Sequence, residues 1–267
     1  MTFRELKTRA RQHLQGNWGI AIIAMILFSA INGLPNSLVQ AARLGVDNLA
    51  FLLPVSQIVG IISILLIPLV VGYNRIHLDL AEGTPTNLDQ MFYPFRRGQY
   101  GRSLLTMFLV QLFTGLWTLL FIIPGIIKAF SYAMTSYILA DPMYDSLEGT
   151  EPITESRELM DGHKMEYFLL ILSIIWWIIP FVIMLPIVAV VIEAWTIFSL
   201  LLGGIAVVII FILGPYIQQV TAEFYLDLTG PGKPSTSAES SPPVMKNDPL
   251  DVTDDEEEDD PFADYYN

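Results

Sequence analysis

A chain of 267 residues with 53% hydrophobic and only 15% charged content excludes an ordinary water-soluble domain, in which about a quarter of residues are charged. The absence of cysteine removes disulfides, thiolate metal sites and cysteine nucleophiles. The net charge of −13 is unevenly placed: residues 231–267 hold eleven acidic residues and two lysines, leaving −4 for the rest.

The mean hydropathy of +0.51 comes from long apolar runs, each sufficient for a bilayer core of roughly 30 Å. Period-2 alternation is absent, which removes a transmembrane barrel. The chain therefore reads as an all-α, polytopic membrane protein of about six transmembrane helices in three hairpins. Interfacial helices on the cytoplasmic side and a disordered acidic tail complete it.

Residues 1–16 predict an amphipathic interfacial helix. Thr2 and Glu5 form a capping box, and Phe3, Leu6, Ala10, Leu14 and Trp18 fall at helical spacing between Arg4, Lys7, Arg9 and Arg11. This pattern suits a helix lying on the membrane, setting topology or sensing anionic lipid. A six-span domain follows over 17–230. Its first span, about 18–39, carries Asn32, Gly33 and Pro35 and lacks a convincing small-x-small cleavage site, so it reads as an anchor. The second, about 49–73, contains Pro54 and Pro68, and a polar helix with Arg75 and Asp79 follows.

Asn87, with Gln90 three residues on, predicts the cap of a short interfacial helix. Phe92, Tyr93 and Phe95 beside Arg96, Arg97 and Arg102 resemble an aromatic belt with basic anchors. The central hairpin, about 103–123 and 126–140, is expected to reverse at Pro124-Gly125, with Lys128 snorkelling toward the outer face. In the polar segment 142–164, Pro152 suits a first helical position. The fifth span, about 166–190, contains Pro180 and Pro186. A turn at Glu193 leads to the sixth, about 194–213, and an amphipathic extension over 216–228.

With the N-terminus in the cytoplasm, six spans return the C-terminus there, and all basic residues except Arg43 and Lys128 lie inside. A repeat underlies the pattern. Arg11 to Gly16 and Arg157 to Gly162 both read R-x-x-[LM]-x-G at the start of an apolar hairpin. The hairpins close on Leu78-Asp79-Leu80 and Leu226-Asp227-Leu228; Arg97-Gly98 and Asp141 bracket a shorter third copy. The glycine is suited to end the surface helix, leaving the arginine for phosphates or the closing aspartate.

Chemistry-bearing motifs are missing. His13, His77 and His163 have no metal-ligand spacing and read as solvated or headgroup-facing. No G-x-S-x-G, P-loop or Rossmann fingerprint occurs, so the expectation is no enzyme, no cofactor, no metal and no nucleic-acid partner. Ser199, Gly203 and Gly204 suit helix packing. Asn32, Gln57 and Gln111 are polar groups within spans that can cross-link helices, and no midplane carboxylate stands out.

Leu6-Lys7, Ala10-Arg11, Leu14 and Gly16-Asn17-Trp18, then Phe121 to Lys128, Tyr132, Tyr137 to Asp141, and Ser156 to Lys164, resemble the bacterial integral-membrane family catalogued as domain of unknown function 975. Tyr216, Thr221, Phe224 and Tyr225 are similar to its closing segment. The resemblance implies a multi-pass protein of the bacterial cell membrane, chiefly in Gram-positive organisms, and no established reaction or ligand. Asp161 departs from it, standing where lysine is expected, and the acidic tail lies outside it.

The leading expectation is a non-enzymatic scaffold or regulator that engages membrane lipids, and a cytosolic partner through the acidic tail. The alternative is a small-molecule or peptide exporter. A midplane pocket lined by Gln57, Gln111 or Asn32 favours the exporter, whereas tight packing removes it. The structural motif candidates are Arg11, Gly16, Pro124, Gly125, Lys128, Arg157, Gly162 and Lys164. Oligomeric state is left open.

Overall fold

The computed structural model describes residues 2–45, 49–96, 98–176, 179 and 196–230. Among these there is no strand. The helices are α1 (Phe3–Leu14), α2 (Trp18–Gly45), α3 (Leu49–Leu65), α4 (Leu69–Ala81), α5 (Tyr93–Arg96) and α6 (Tyr100–Leu120), followed by α7 (Ile122–Ser131), α8 (Thr135–Ala140), α9 (Glu151–Leu159), α10 (Lys164–Ile175) and α11 (Thr196–Thr229). Short 3-10 turns at Leu88–Phe92 and Pro142–Tyr144 link them.

Among the described residues, five stretches are long and apolar enough to span a bilayer: Trp18–Pro35, Pro54–Ala81, Tyr100–Leu120, Ile122–Ala140 and Val208–Thr229. The expected span over 166–190 is described only as far as α10 and a few residues beyond. Pro180, Pro186, Glu193 and the tail over 231–267 lie outside the described residues. The second apolar stretch runs on through Asp79 to Ala81, past the expected limit at 73, and Arg75 pairs with Asp79 within it. The last helix continues through Pro215 to Thr229, where the sequence suggested a break after 213.

The central reversal also differs from expectation. Its extended residue is Phe121, at φ −155° and ψ 134°, and Pro124-Gly125 lies inside the first turn of α7. A proline there forfeits an N–H that has no helical partner anyway. Gly125 N–H already donates to Phe121 O at 3.1 Å, so helix has begun. Glycine at this point lets α7 lie directly on α6: a Cβ would stand 2.6 Å from Thr118 Cα.

The surface helices end as the repeat implies. Gly16 (φ +85°) and Gly162 (φ +78°) occupy the left-handed region, as does Gly98 (φ +69°), the glycine of the shorter copy. Two positions before the first two, Leu14 and Met160 are fully buried. The capping box forms, with Thr2 Oγ1 accepting from Glu5 N–H and Thr2 N–H donating to Glu5 Oε2 at 3.0 Å. Asn87 caps the first 3-10 turn, accepting from Asp89 N–H.

The core lies where α1 and α9 meet the spans. Leu6, Ala10, Leu78, Tyr137, Ile138, Met160, Val220 and Tyr225 form one cluster; Leu14, Ala21, Ala24, Leu69, Tyr73, Ile76 and Met91 form another. At the opposite end the hairpin tip is open, with Phe121 and Ile123 69% and 73% exposed. The apolar stripe of α1 is thus packed on α4 and α11.

Candidate functional site

Two polar features stand out against this apolar background. The first is a seam where the closing segments of the three units meet: α4, α8 and the end of α11. Asn74 Nδ2 donates to Ser136 Oγ at 2.7 Å, and His77 Nδ1–H donates to Gln219 Oε1 at 3.1 Å. Tyr137 OH donates to the backbone and side-chain oxygens of Gln218 at 3.1 and 2.9 Å, while Tyr225 OH donates to Asp141 Oδ2 at 2.9 Å. The rings of Tyr137 and Tyr225 stack with centroids 5.7 Å apart.

Charges close the seam at the α1 end. His13 Nδ1 meets Glu223 Oε1 at 2.5 Å. Arg75 reaches Asp79 at 2.5 Å and Glu82 at 3.5 Å, and donates to Ala140 O, an otherwise open carbonyl ending α8. Burial pushes the Glu82 carboxyl up; Arg75 opposes the shift, and Asp141 and Asp79 add to it. The Tyr144 phenol is pushed up to about 12 by burial beside Glu155 and Asp141. Arg102 donates to Tyr144 O and Leu147 O at 2.6 and 2.5 Å, holding the 142–150 loop against α6.

These contacts revise the histidine reading. His77 is fully buried and not interfacial, and His13 is paired with a buried carboxylate. His163 remains exposed beside Glu166. Buried carboxylates exist at Asp79, Asp141, Glu155 and Glu223. The repeat singled out Asp79 and Asp141 as closing aspartates, whereas no sequence feature pointed to Glu155 or Glu223.

The motif candidates scatter. Arg11 lies 5.9 Å over the Tyr216 ring and Lys128 5.2 Å over that of Trp117. Arg157 is exposed on α9, and Lys164 pairs with the unusual Asp161 at 3.4 Å. They do not converge on one site. Among the described residues no three histidine, aspartate or glutamate side chains are grouped to hold a metal.

The second feature is a cleft of about 400 Å³ among α2, α3, α4 and α6, lined by Phe28, Asn32, Ser63, Ile64, Val70 and Gln111 among others. Gln111 is eleven residues into α6, about 16 Å at 1.5 Å per residue, which is near the middle of a bilayer core. Asn32 Nδ2 donates to Phe28 O and Ser63 Oγ to Val59 O, both at 2.9 Å, so their oxygens keep free lone pairs. Gln111 has no hydrogen-bond partner among the described residues. Gln57, the third polar residue expected here, is exposed outside the cleft, and Ser63 takes its place. Tyr73, stacked on Phe28 at 4.8 Å and set edge-on to His77 at 4.9 Å, joins cleft to seam.

Described residues that are helical without strand, with five helices of spanning length and apolarity among them, are compatible with a multi-pass membrane protein. It belongs to the family described as Protein of unknown function (DUF975), whose model matches residues 1–147 and 119–231. No curated protein and no solved structure matches the chain.

Proposed function

We propose that this protein is a non-enzymatic, six-span protein of the bacterial cell membrane with both termini in the cytoplasm. Its function is to bind a neutral amphipathic small molecule at mid-depth as a step in moving it. The observation that carries this reading is the convergence of Gln111, Asn32 and Ser63 on one cleft. Gln111 is exposed on α6 without a hydrogen-bond partner among the described residues, so a ligand that bonds it gains a net of about 1 kcal/mol. Among the described residues no charged side chain lines the cleft, which disfavours ionic ligands through unrepaid desolvation. Its volume falls within the range of small-molecule sites, roughly 300–1,000 Å³.

In α1, Leu6, Ala10 and Leu14 are packed against protein, and the mid-depth cleft carries the polar residues that the exporter reading needs.

The test uses a nitroxide-labelled dodecanamide and protein in lipid nanodiscs. Because the chain has no cysteine, bimane can be attached at Gly60→Cys, where a side chain meets open space one turn from Ser63. Saturable quenching is expected there, and none at lipid-facing Ile23→Cys. Gln111→Leu should weaken binding about fivefold, the worth of one hydrogen bond of about 1 kcal/mol. Equal, non-saturable quenching at both positions refutes the proposal.

A further inference from the structure

Gln111 and Met107, one turn apart on α6, line two cavities at once: the mid-depth cleft and a larger, more open groove on the other face of the helix. The groove encloses about 780 Å³ between α6 and the α7–α8 arm. Its shape follows from the hairpin. The arms touch at the tip, where Gly125 lies on Thr118, and part toward the α1 end. Small side chains make the gap: Thr114, Gly115, Ala129 and Ala133. A Cβ added at Gly115 would meet nothing within 4 Å.

The mouth of this groove is apolar, lined by Val110 and by Leu119, which is 85% exposed. Its inner end is polar. Ser136 lines it and is held by Asn74, whose own Oδ1 is buried without a partner among the described residues. The groove thus offers an apolar mouth at bilayer depth and two polar stations, Ser136 and Gln111, behind it.

Resting on the binding reading above, we propose that this groove is the lateral entrance to the cleft, and that Met107 and Gln111 are its gate. The ligand class is a neutral amphiphile that partitions into lipid before it meets the protein. It slides between the arms of the hairpin. Its hydrogen-bonding group is received by Gln111 as Met107 swings aside, a flexible thioether well suited to that movement.

A gate alters rates in both directions and leaves the equilibrium unchanged. With bimane at Gly60→Cys and the same nitroxide amide, Gly115→Phe should fill the groove and slow both onset and release about tenfold, with the same saturation curve. Met107→Ala should speed both. Because Met107 also lines the cleft, Ala129→Phe decides the matter if Gly115→Phe does not fold: Ala129 lines the groove alone, and its replacement should slow both. Saturable binding with rates unchanged in a folded variant overturns the route and leaves the cleft standing. Absence of saturable binding in the parent overturns both.

Discussion

His77 and Gln219 are the residues on which the seam turns. Each is fully buried, each spends one atom on the other, and each leaves a second polar atom, Nε2 in both, without a partner among the described residues. Removing one side of such a pair costs more than removing both, because the survivor is desolvated for nothing. Gln219→Leu is expected to lose about 1–3 kcal/mol, and His77→Leu in the same chain to recover part of it, read as melting midpoints in detergent. Additive losses would show that the two do not act together. Neither partner was legible in the sequence. His77 sits beside Arg75 and Asp79 in a run that looks interfacial, and only the arrival of α11 from 142 residues away buries it.

Among elements, the central hairpin shows where local reading succeeds and where it stops. The return of its two arms was expected from Pro124-Gly125, and the arms themselves were legible from apolar length. The position of the reversal was not, since Pro-Gly marks a turn and the start of a helix with the same letters. Here contact with α6 decides between them. Gly125→Leu is therefore expected to spread the arms at the cost of about 1–3 kcal/mol or more of overpacking, seen as lower folded yield in membranes. A variant as stable as the parent would mean that the hairpin is looser than the Thr118 contact implies. The surface helices were read correctly in start and stop, because capping boxes and left-handed glycines are local signals. Where α1 directs its apolar stripe is not a local property, since its partners lie on α4 and α11.

For the whole molecule, the placement of arginine and lysine predicts which side each loop occupies. A single cysteine at Ser37 should react with an impermeant maleimide on intact cells, and one at Thr84 only after permeabilisation. The reverse pattern would invert every assignment of inside and outside made above. The left-handed glycines Gly16, Gly98 and Gly162 stand at the openings that the expected repeat names, a signal local enough to be read early. Contacts between distant segments are not local. Side chains of the closing segments meet across units, at separations no periodicity encodes. The cleft belongs to the same category, assembled from α2, α3, α4 and α6 with a single polar side chain from each of three.

The clasp of α1 on α11 has a consequence for biosynthesis. Leu6, Ala10 and His13 find partners among Val220, Glu223, Phe224 and Tyr225, segments made more than 200 residues later. At 5–20 residues per second, the first helix waits roughly 10–40 seconds for this cover. A nascent chain cut short before α11 loses that fastener and shows a greasy amino-terminal flank to chaperones and proteases. The first helix thereby certifies that α11 has been made.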